Sequence, residues 1–233
     1  MLATYGFYSS GHGDRLVDPS RYPNEITEYL IAEEDLLTSL ASRFETLVEV
    51  GCMDGRYLDW AVRQQKSYLG IDIIERYVEN GQDRILSYGL SFDRYQIKIG
   101  DAAMIHELPC KEGLLQDSAK VLAVFPFNSF GNMSEPAVVL SSLVKAHYPF
   151  LICSYLTNDF ANHARSQYYQ NCGYKQIKCI SDNTGVRFVS SDGLDTVAYN
   201  SSYFCGVLEE HFIVEMIEFS SIGIAYKGSQ RKT

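Results

Sequence analysis

Hydrophobic positions fall into two alternating kinds of segment along most of this chain. Short apolar runs near 46–50, 67–72, 94–99, 119–125 and 149–154 predict buried strands. Between them, apolar residues at helical spacing predict helices near 55–65, 74–88, 134–146 and 159–171, the last ended by Gly173. This alternation predicts an α/β chain whose parallel sheet is covered by helices on both faces. An earlier helix is expected from Asn24, which follows Pro23 and can cap it, with Glu25 and Glu28 at its positive end. Its apolar stripe is Ile26, Tyr29, Leu30, Leu36, Leu37 and Leu40, and the run Glu33-Glu34-Asp35 reads as a solvated face.

The two ends of the chain have a different texture. Residues 1–20 are rich in Gly, Ser and Tyr, show neither period, and are expected to form a loop or lid. In the last quarter, 175–180 and 186–189 alternate around a turn at 181–185, which predicts a hairpin. Ser201 or Ser202 can cap a short helix ahead of two further strands, 212–219 and 222–226, joined around Ser220-Ser221.

The most informative segment runs from Thr46 to Ile73. Leu47, Val48 and Val50 form a buried run in which only Glu49 is polar. Gly51 and Gly55 then bracket a tight turn, where a missing Cβ admits unusual backbone angles and close approach of a ligand. A helix opening from that turn would aim free N–H groups into the same crevice. Asp72 closes the next strand about twenty residues past Gly51, a spacing that suits a carboxylate accepting both hydroxyls of a ribose.

Glu49-x-Gly51-x-x-x-Gly55 followed by Asp72 resembles the first two motifs of class I S-adenosylmethionine-dependent methyltransferases. Tyr95 to Ala102 resembles that family's third strand, whose terminal acid and the next residue touch adenine. Val121 to Asn132 resembles the fourth strand and the loop beside the transferred methyl. The resemblance covers roughly residues 45–155. It implies a Rossmann-like sheet with helices on both faces, an antiparallel C-terminal hairpin and the hairpin near 174–190 as a small insertion. Residues 1–44 would then be an N-terminal lid and helix, and 45–233 the cofactor-binding domain. It implies S-adenosyl-L-methionine as cofactor, held by Glu49, Gly51, Cys52, Met53, Gly55, Asp72, Ile73, Asp101, Ala102 and Phe125. Phe125 to Asn132 also resembles the matching loop of histidine α-N-methyltransferases, with Tyr22-Pro23 and Glu28 a weaker echo; both matches are too short to carry histidine as substrate.

This chain departs from the family pattern at Met53, which stands where a middle glycine is usual, so the side chain either narrows the loop or turns outward. The alternative of an NAD-type fold predicts G-x-G-x-x-G, which Gly51-Cys-Met-Asp-Gly55 does not supply. Cys52 is either a thiol whose pKa the helix N-terminus lowers or a small residue filling a turn. In the fourth-strand loop, Asn128 is the first catalytic and substrate candidate, its amide orienting a polar group near the methyl; the competing reading is a turn residue bonding its own backbone. Tyr5, Phe7, Tyr8 and His12 make an aromatic lid that either covers a cationic group or staples the terminus to the core, with His12 a base or an inert loop histidine. Tyr8, Tyr22 and Tyr155 complete the substrate candidates.

Composition narrows the partners. A formal charge of −9, with clustered Lys and Arg only between Lys227 and Lys232, argues against nucleic acid and for a small-molecule substrate. No apolar stretch reaches membrane-spanning length and the N-terminus has no basic start, so a cytoplasmic enzyme is expected, with a homodimer left open. Cys52, Cys110, Cys153, Cys172, Cys179 and Cys205 are scattered without a C-x-x-C pair and read as reduced thiols, with no metal site expected. Methyl transfer needs chiefly alignment of a nucleophile, and no compact base motif stands out, which tilts the expectation toward N-methylation over O-methylation of a small polar metabolite or natural-product intermediate. The other readings are a catalytically silent adenosyl-binding or interaction protein on the same fold, and an RNA or protein methyltransferase.

Overall fold

The computed structural model describes residues 2–110, 113–115 and 117–231; Met1 and Lys232 of the terminal segments, and the side chain of Cys110, lie outside the described residues. In chain order the elements are α1 (Leu2–Ser9), α2 (Asn24–Leu40), β1 (Thr46–Val50), α3 (Leu58–Arg63), β2 (Ser67–Asp72), α4 (Glu75–Ser87), β3 (Tyr95–Ile99) and β4 (Val121–Phe125). They continue with α5 (Pro136–Ala146), β5 (Phe150–Tyr155), α6 (Asp159–Asn171), β6 (Lys178–Ser181), β7 (Gly185–Val189), β8 (Asp195–Tyr199), α7 (Ser201–Glu209), β9 (Phe212–Glu218) and β10 (Gly223–Gln230).

Seven strands form one sheet in the order β3-β2-β1-β4-β5-β10-β9. The first five are parallel, and β10 runs antiparallel between β5 and β9. β1 and β4 are buried at every position, as central strands covered on both faces must be. Side chains alternate between two cores: Val48, Ile71, Ala123 and Ile152 face α5 and α7, while Leu47, Tyr68, Leu122 and Val124 face Leu37 of α2 and Trp60 of α3. The strand order reverses between β1 and β4, so their carboxyl ends open a crevice.

A separate three-stranded antiparallel sheet, β6-β7-β8, sits beside it. The predicted hairpin therefore extends to a third strand, because Asp195–Tyr199 pairs along the whole of β7. Val186, Phe188 and Ala198 from this sheet join Phe7, Tyr29, Tyr155, Tyr168 and Tyr169 in a third, aromatic core.

Several local expectations change. Residues 1–20 are not a periodless loop: α1 is followed by 3-10 turns at His12–Val17 and Pro19–Arg21, stapled by buried Phe7. Asn24 does not cap α2, since Pro23 occupies the cap position and Asn24 is the first helical residue. The helix expected from 55 begins only at Leu58, because the turn after β1 is longer than its glycines suggest. Asn200, not Ser201 or Ser202, precedes α7, and its side chain makes no cap bond. Asn158 caps α6 through Ala161 N–H at 2.9 Å.

Candidate functional site

The crevice at the strand tips is a cavity of about 470 Å³, within the size range of small-molecule sites. One end is built from backbone. Gly51 (φ +74°) turns the chain away from β1, and a Cβ there would meet Ser129 Cβ at 3.3 Å, so two loops approach closely where the strand order reverses. Met53 also takes the left-handed conformation (φ 50°), which a glycine would adopt more freely, and lines the cavity. Its N–H donates to Asp72 Oδ2 at 2.8 Å, and Ile74 N–H donates to Oδ1 at 3.0 Å. Asp72 is thereby fixed at the cavity wall with a lone pair left on each oxygen. Burial raises its pKa, against the lowering effect of those backbone donors. Beside it Ile73, Gly100 and Ala102, with the carboxylate of Asp101, complete the wall.

The turn behind this wall is braced from within the protein. Arg84 of α4 donates to the carbonyls of Asp54 and Gly55 at 2.9 and 3.0 Å. Glu49, fully buried, accepts from Tyr57 N–H at 3.0 Å and from the Tyr68 hydroxyl at 2.5 Å. Burial with no cation in hydrogen-bonding contact pushes its pKa up to about 7.

The other end is aromatic. Tyr8, Tyr22, Phe127, Tyr155, Tyr168 and Tyr169 line it, together with Arg56 and Leu194. Phe127 and Asn128 are consecutive left-handed residues (φ 47° and 58°), an unfavourable pairing for non-glycine residues that only surrounding structure can hold. Two clamps hold it. Phe127 N–H donates to Glu33 Oε1 at 2.7 Å. The Asn128 amide donates to Thr196 Oγ1 and to the Val197 carbonyl, both at 3.0 Å, and accepts from Ser154 Oγ at 2.6 Å. Gly131 must be glycine here, because a Cβ would stand 1.9 Å from the Val197 carbonyl.

Glu33 overturns its expected solvated position: it lies on the buried stripe of α2 and is 0% exposed. Its Oε2 accepts from the Tyr57 hydroxyl at 2.8 Å and lies 3.4 Å from Arg56 Nη2. One carboxylate therefore ties the loop after β1 to the loop after β4. A sequence signal existed, since Glu33 sits four residues after Tyr29 and four before Leu37.

The N-terminal segment roofs the cavity with Tyr8, Gly13, Leu16, Val17 and Pro19. Arg76 holds it shut, donating to Asp14 at 2.6 and 3.0 Å and to the Tyr8 carbonyl at 3.0 Å, while the Tyr77 hydroxyl donates to Asp14 as well.

Of the residues singled out from sequence, Gly51, Cys52, Met53, Asp72, Ile73, Asp101, Ala102, Tyr8, Tyr22, Asn128 and Tyr155 line the cavity. Glu49, Gly55 and Phe125 do not: Glu49 braces the turn, Gly55 packs where a Cβ would meet Ile97 at 2.8 Å, and Phe125 packs edge-on against Phe130. His12 lies outside the wall, its ring turned to Ser10 Oγ at 3.1 Å, and Glu28 is exposed. Asn128 spends both amide protons inside the protein, so it holds the loop and cannot donate to a substrate. Burial pushes the Cys52 thiol well up, which favours the reading of a small residue filling the turn over that of a thiol lowered by a helix N-terminus, and no helix starts at that residue. Arg56, Phe127, Tyr168, Tyr169 and Leu194 are cavity residues that the sequence did not reveal. Among the described residues no cluster of three or more His, Cys, Asp and Glu side chains could hold a metal ion, and no helix is long and apolar enough to cross a membrane.

No protein-family model matches the sequence, and no curated protein matches it. Solved structures do. The PH0226 protein of Pyrococcus horikoshii OT3 is similar at 13% identity over 92% of this chain and 97% of that one, with a TM-score of 0.62. A SAM dependent methyltransferase from Aquifex aeolicus is similar at 16% identity over 92% and 94%, with a TM-score of 0.57. The 1,6-didemethyltoxoflavin-N1-methyltransferase of Burkholderia thailandensis, solved with bound 1,6-didemethyltoxoflavin and S-adenosylhomocysteine, is similar at 10% identity over 88% and 79%, with a TM-score of 0.58. The chain thus has the Rossmann-like fold of class I S-adenosylmethionine-dependent methyltransferases.

Proposed function

We propose that this chain is an S-adenosylmethionine-dependent methyltransferase acting on a small metabolite or natural-product intermediate, at nitrogen in preference to oxygen. The observation that carries the reading is Asp72, backbone-fixed at the tip of β2 with free lone pairs at the cavity wall. Such a carboxylate suits a pair of ribose hydroxyls. The residues around it fit the rest of the ligand: Gly51 and Gly100 present bare backbone, and Ile73 and Ala102 offer an apolar face to a purine. When bound, the cofactor supplies a methyl made electrophilic by its sulfonium. The chain's own task is to align the acceptor and keep water out, for which the roof from Tyr8 to Pro19 and the aromatic wall are suited. A roofed cavity also supports a small acceptor over a polymer, which needs an open trough. Nitrogen is favoured because, among the described residues, no histidine lines the cavity and burial pushes the Tyr22 hydroxyl up to about 12, leaving no base at the aromatic end to ionise an alcohol.

Calorimetric titration with S-adenosylmethionine and S-adenosylhomocysteine tests the reading, with Asp72→Ala as control. Micromolar binding that the substitution removes is the expected result; no binding of either ligand would move the silent-scaffold reading ahead.

A further inference from the structure

The aromatic end of the cavity has a recognisable chemistry. Tyr22, Phe127, Tyr155 and Tyr168 form a connected set of rings, with centroids 5.8 Å apart for Tyr22 and Tyr168, 5.9 Å for Phe127 and Tyr168, and 6.2 Å for both Phe127–Tyr155 and Tyr22–Phe127. Flat π-faces of this kind take flat ligands. Arg56 adds the charge. Its guanidinium lies 5.1 Å over the Phe127 ring and 5.6 Å over Tyr57. Its one ion pair is the 3.4 Å contact with Glu33, a carboxylate already accepting from Phe127 N–H and the Tyr57 hydroxyl, and its Nε is buried without a partner. Besides Glu33, the buried Glu49 also favours the charged form of Arg56; the carboxylates that line the cavity lie elsewhere, Asp54 paired with Arg84, Asp72 and Asp101 at the backbone-built end, and Glu135 exposed.

A second guanidinium stands directly behind this wall. Arg165 of α6 is 0% exposed, lies 5.0 Å over the Tyr155 ring and 4.7 Å over Phe188, and donates to the Val186 carbonyl at 3.2 Å. Its Nε and Nη2 have no partner, and no carboxylate pairs with it among the described residues. Arg165, without a carboxylate, and Arg56, whose one paired carboxylate is shared with two other donors, make that wall a poor host for an ammonium and a better one for an anion.

We propose that the acceptor bound here is a planar aromatic anion, its ring held among Tyr22, Phe127, Tyr155 and Tyr168 and its negative charge placed on Arg56. The proposal rests on the methyltransferase reading above and names its substrate class. It also agrees with the absence of a histidine or carboxylate among the residues of the aromatic end. In an anion of the picolinate kind the carboxylate sits on Arg56 and the ring nitrogen keeps its own lone pair: that pair forms the new bond to the methyl carbon, the carbon–sulfur pair stays on sulfur, and no proton has to leave. Anion and sulfonium cancel in forming two neutral products, a change that an apolar, water-poor cavity favours.

The test uses the full chain saturated with S-adenosylhomocysteine, whose own binding is titrated first. Picolinate and 2-naphthoate are then titrated by calorimetry against picolinamide and 2-naphthamide, their uncharged counterparts, and against 2-naphthylmethylamine. The anions should bind about tenfold more tightly than the amides, and the amine weakest. Arg56→Gln should erase the anion preference and Arg56→Lys should keep part of it, with thermal melting checking that each variant folds. Equal binding of anions and amides overturns the proposal, as does tighter binding of the amine, a preference that survives in Arg56→Gln, or no binding of any aromatic probe. The anion–amide comparison on the unmodified chain decides the matter even if Arg56→Gln does not fold. Failure of S-adenosylhomocysteine itself to bind defeats the parent reading instead, and shows at the first titration.

Discussion

At the Asp72 end, the cavity wall comes from the tips of three neighbouring strands, β1, β2 and β3, and its polar groups are largely backbone together with the carboxylates of Asp72 and Asp101. At the aromatic end, the wall comes from side chains of the N-terminal segment, the loops after β1 and β4, α6 and the small second sheet. The first design tolerates a changed side chain, as Met53 shows by donating through its backbone where a glycine is usual. The second depends on clamps that hold a strained loop, Glu33 on one side and Asn128 on the other. The contrast teaches that, on the proposed function, backbone geometry would meet the shared cofactor while side chains borrowed from distant segments would meet the particular acceptor.

Removing the carboxylate that ties the loop after β1 to the loop after β4 should have the largest effect. Glu33→Ala leaves Phe127 N–H, the Tyr57 hydroxyl and Arg56 without their buried partner, and should lower stability by about 3–5 kcal/mol in chemical denaturation. A loss under about 1 kcal/mol would show that the two loops hold themselves.

Glu49 tests the brace behind the Asp72 end. Its pKa is about 7 in the fold against an ordinary 4.5, so the fold favours the protonated form and binds more protons than the unfolded chain between those values. Stability from this group is full below about pH 4.5 and is lost as pH rises through about 7, a change of about 3 kcal/mol at most. Glu49→Gln should flatten that part of the stability–pH profile, and equal slopes in the two proteins would show that Glu49 is ionised at little cost.

Asp72→Ala should weaken S-adenosylhomocysteine binding about 100-fold, the worth of two hydrogen bonds to a charged group, while leaving binding at the aromatic end unchanged. Asn128→Ala should do the reverse: about 2 kcal/mol of stability lost through its broken amide bonds, with S-adenosylhomocysteine affinity held within about twofold. A large affinity loss in Asn128→Ala would erase the division between the ends. The smallest effect is expected from Asp14→Asn, since the Asp14–Arg76 pair is part-exposed; stopped-flow release of S-adenosylhomocysteine should quicken about two- to threefold as the roof loosens.

The legible part of this protein follows that same division. The five parallel strands, the C-terminal hairpin and the row Gly51, Cys52, Met53, Asp72, Asp101 and Ala102 could be read because each is local: an apolar run, a glycine turn, an acid at a strand end. Glu33 was misread because charge outweighed its position on the stripe, and Glu49 because a motif residue that braces a loop looks the same in sequence as one that touches a ligand. Arg56 and Tyr168 carried no local sign at all. By itself the sequence determined the strands, the glycine turn after β1 and the acid at the end of β2, since strand burial and turn chemistry are properties of neighbouring residues. Only the tertiary structure decided which end of the cavity is aromatic, which amide is already spent and where the buried guanidiniums lie, because those depend on segments as far apart as Tyr8, Arg56, Asn128 and Thr196 meeting in space.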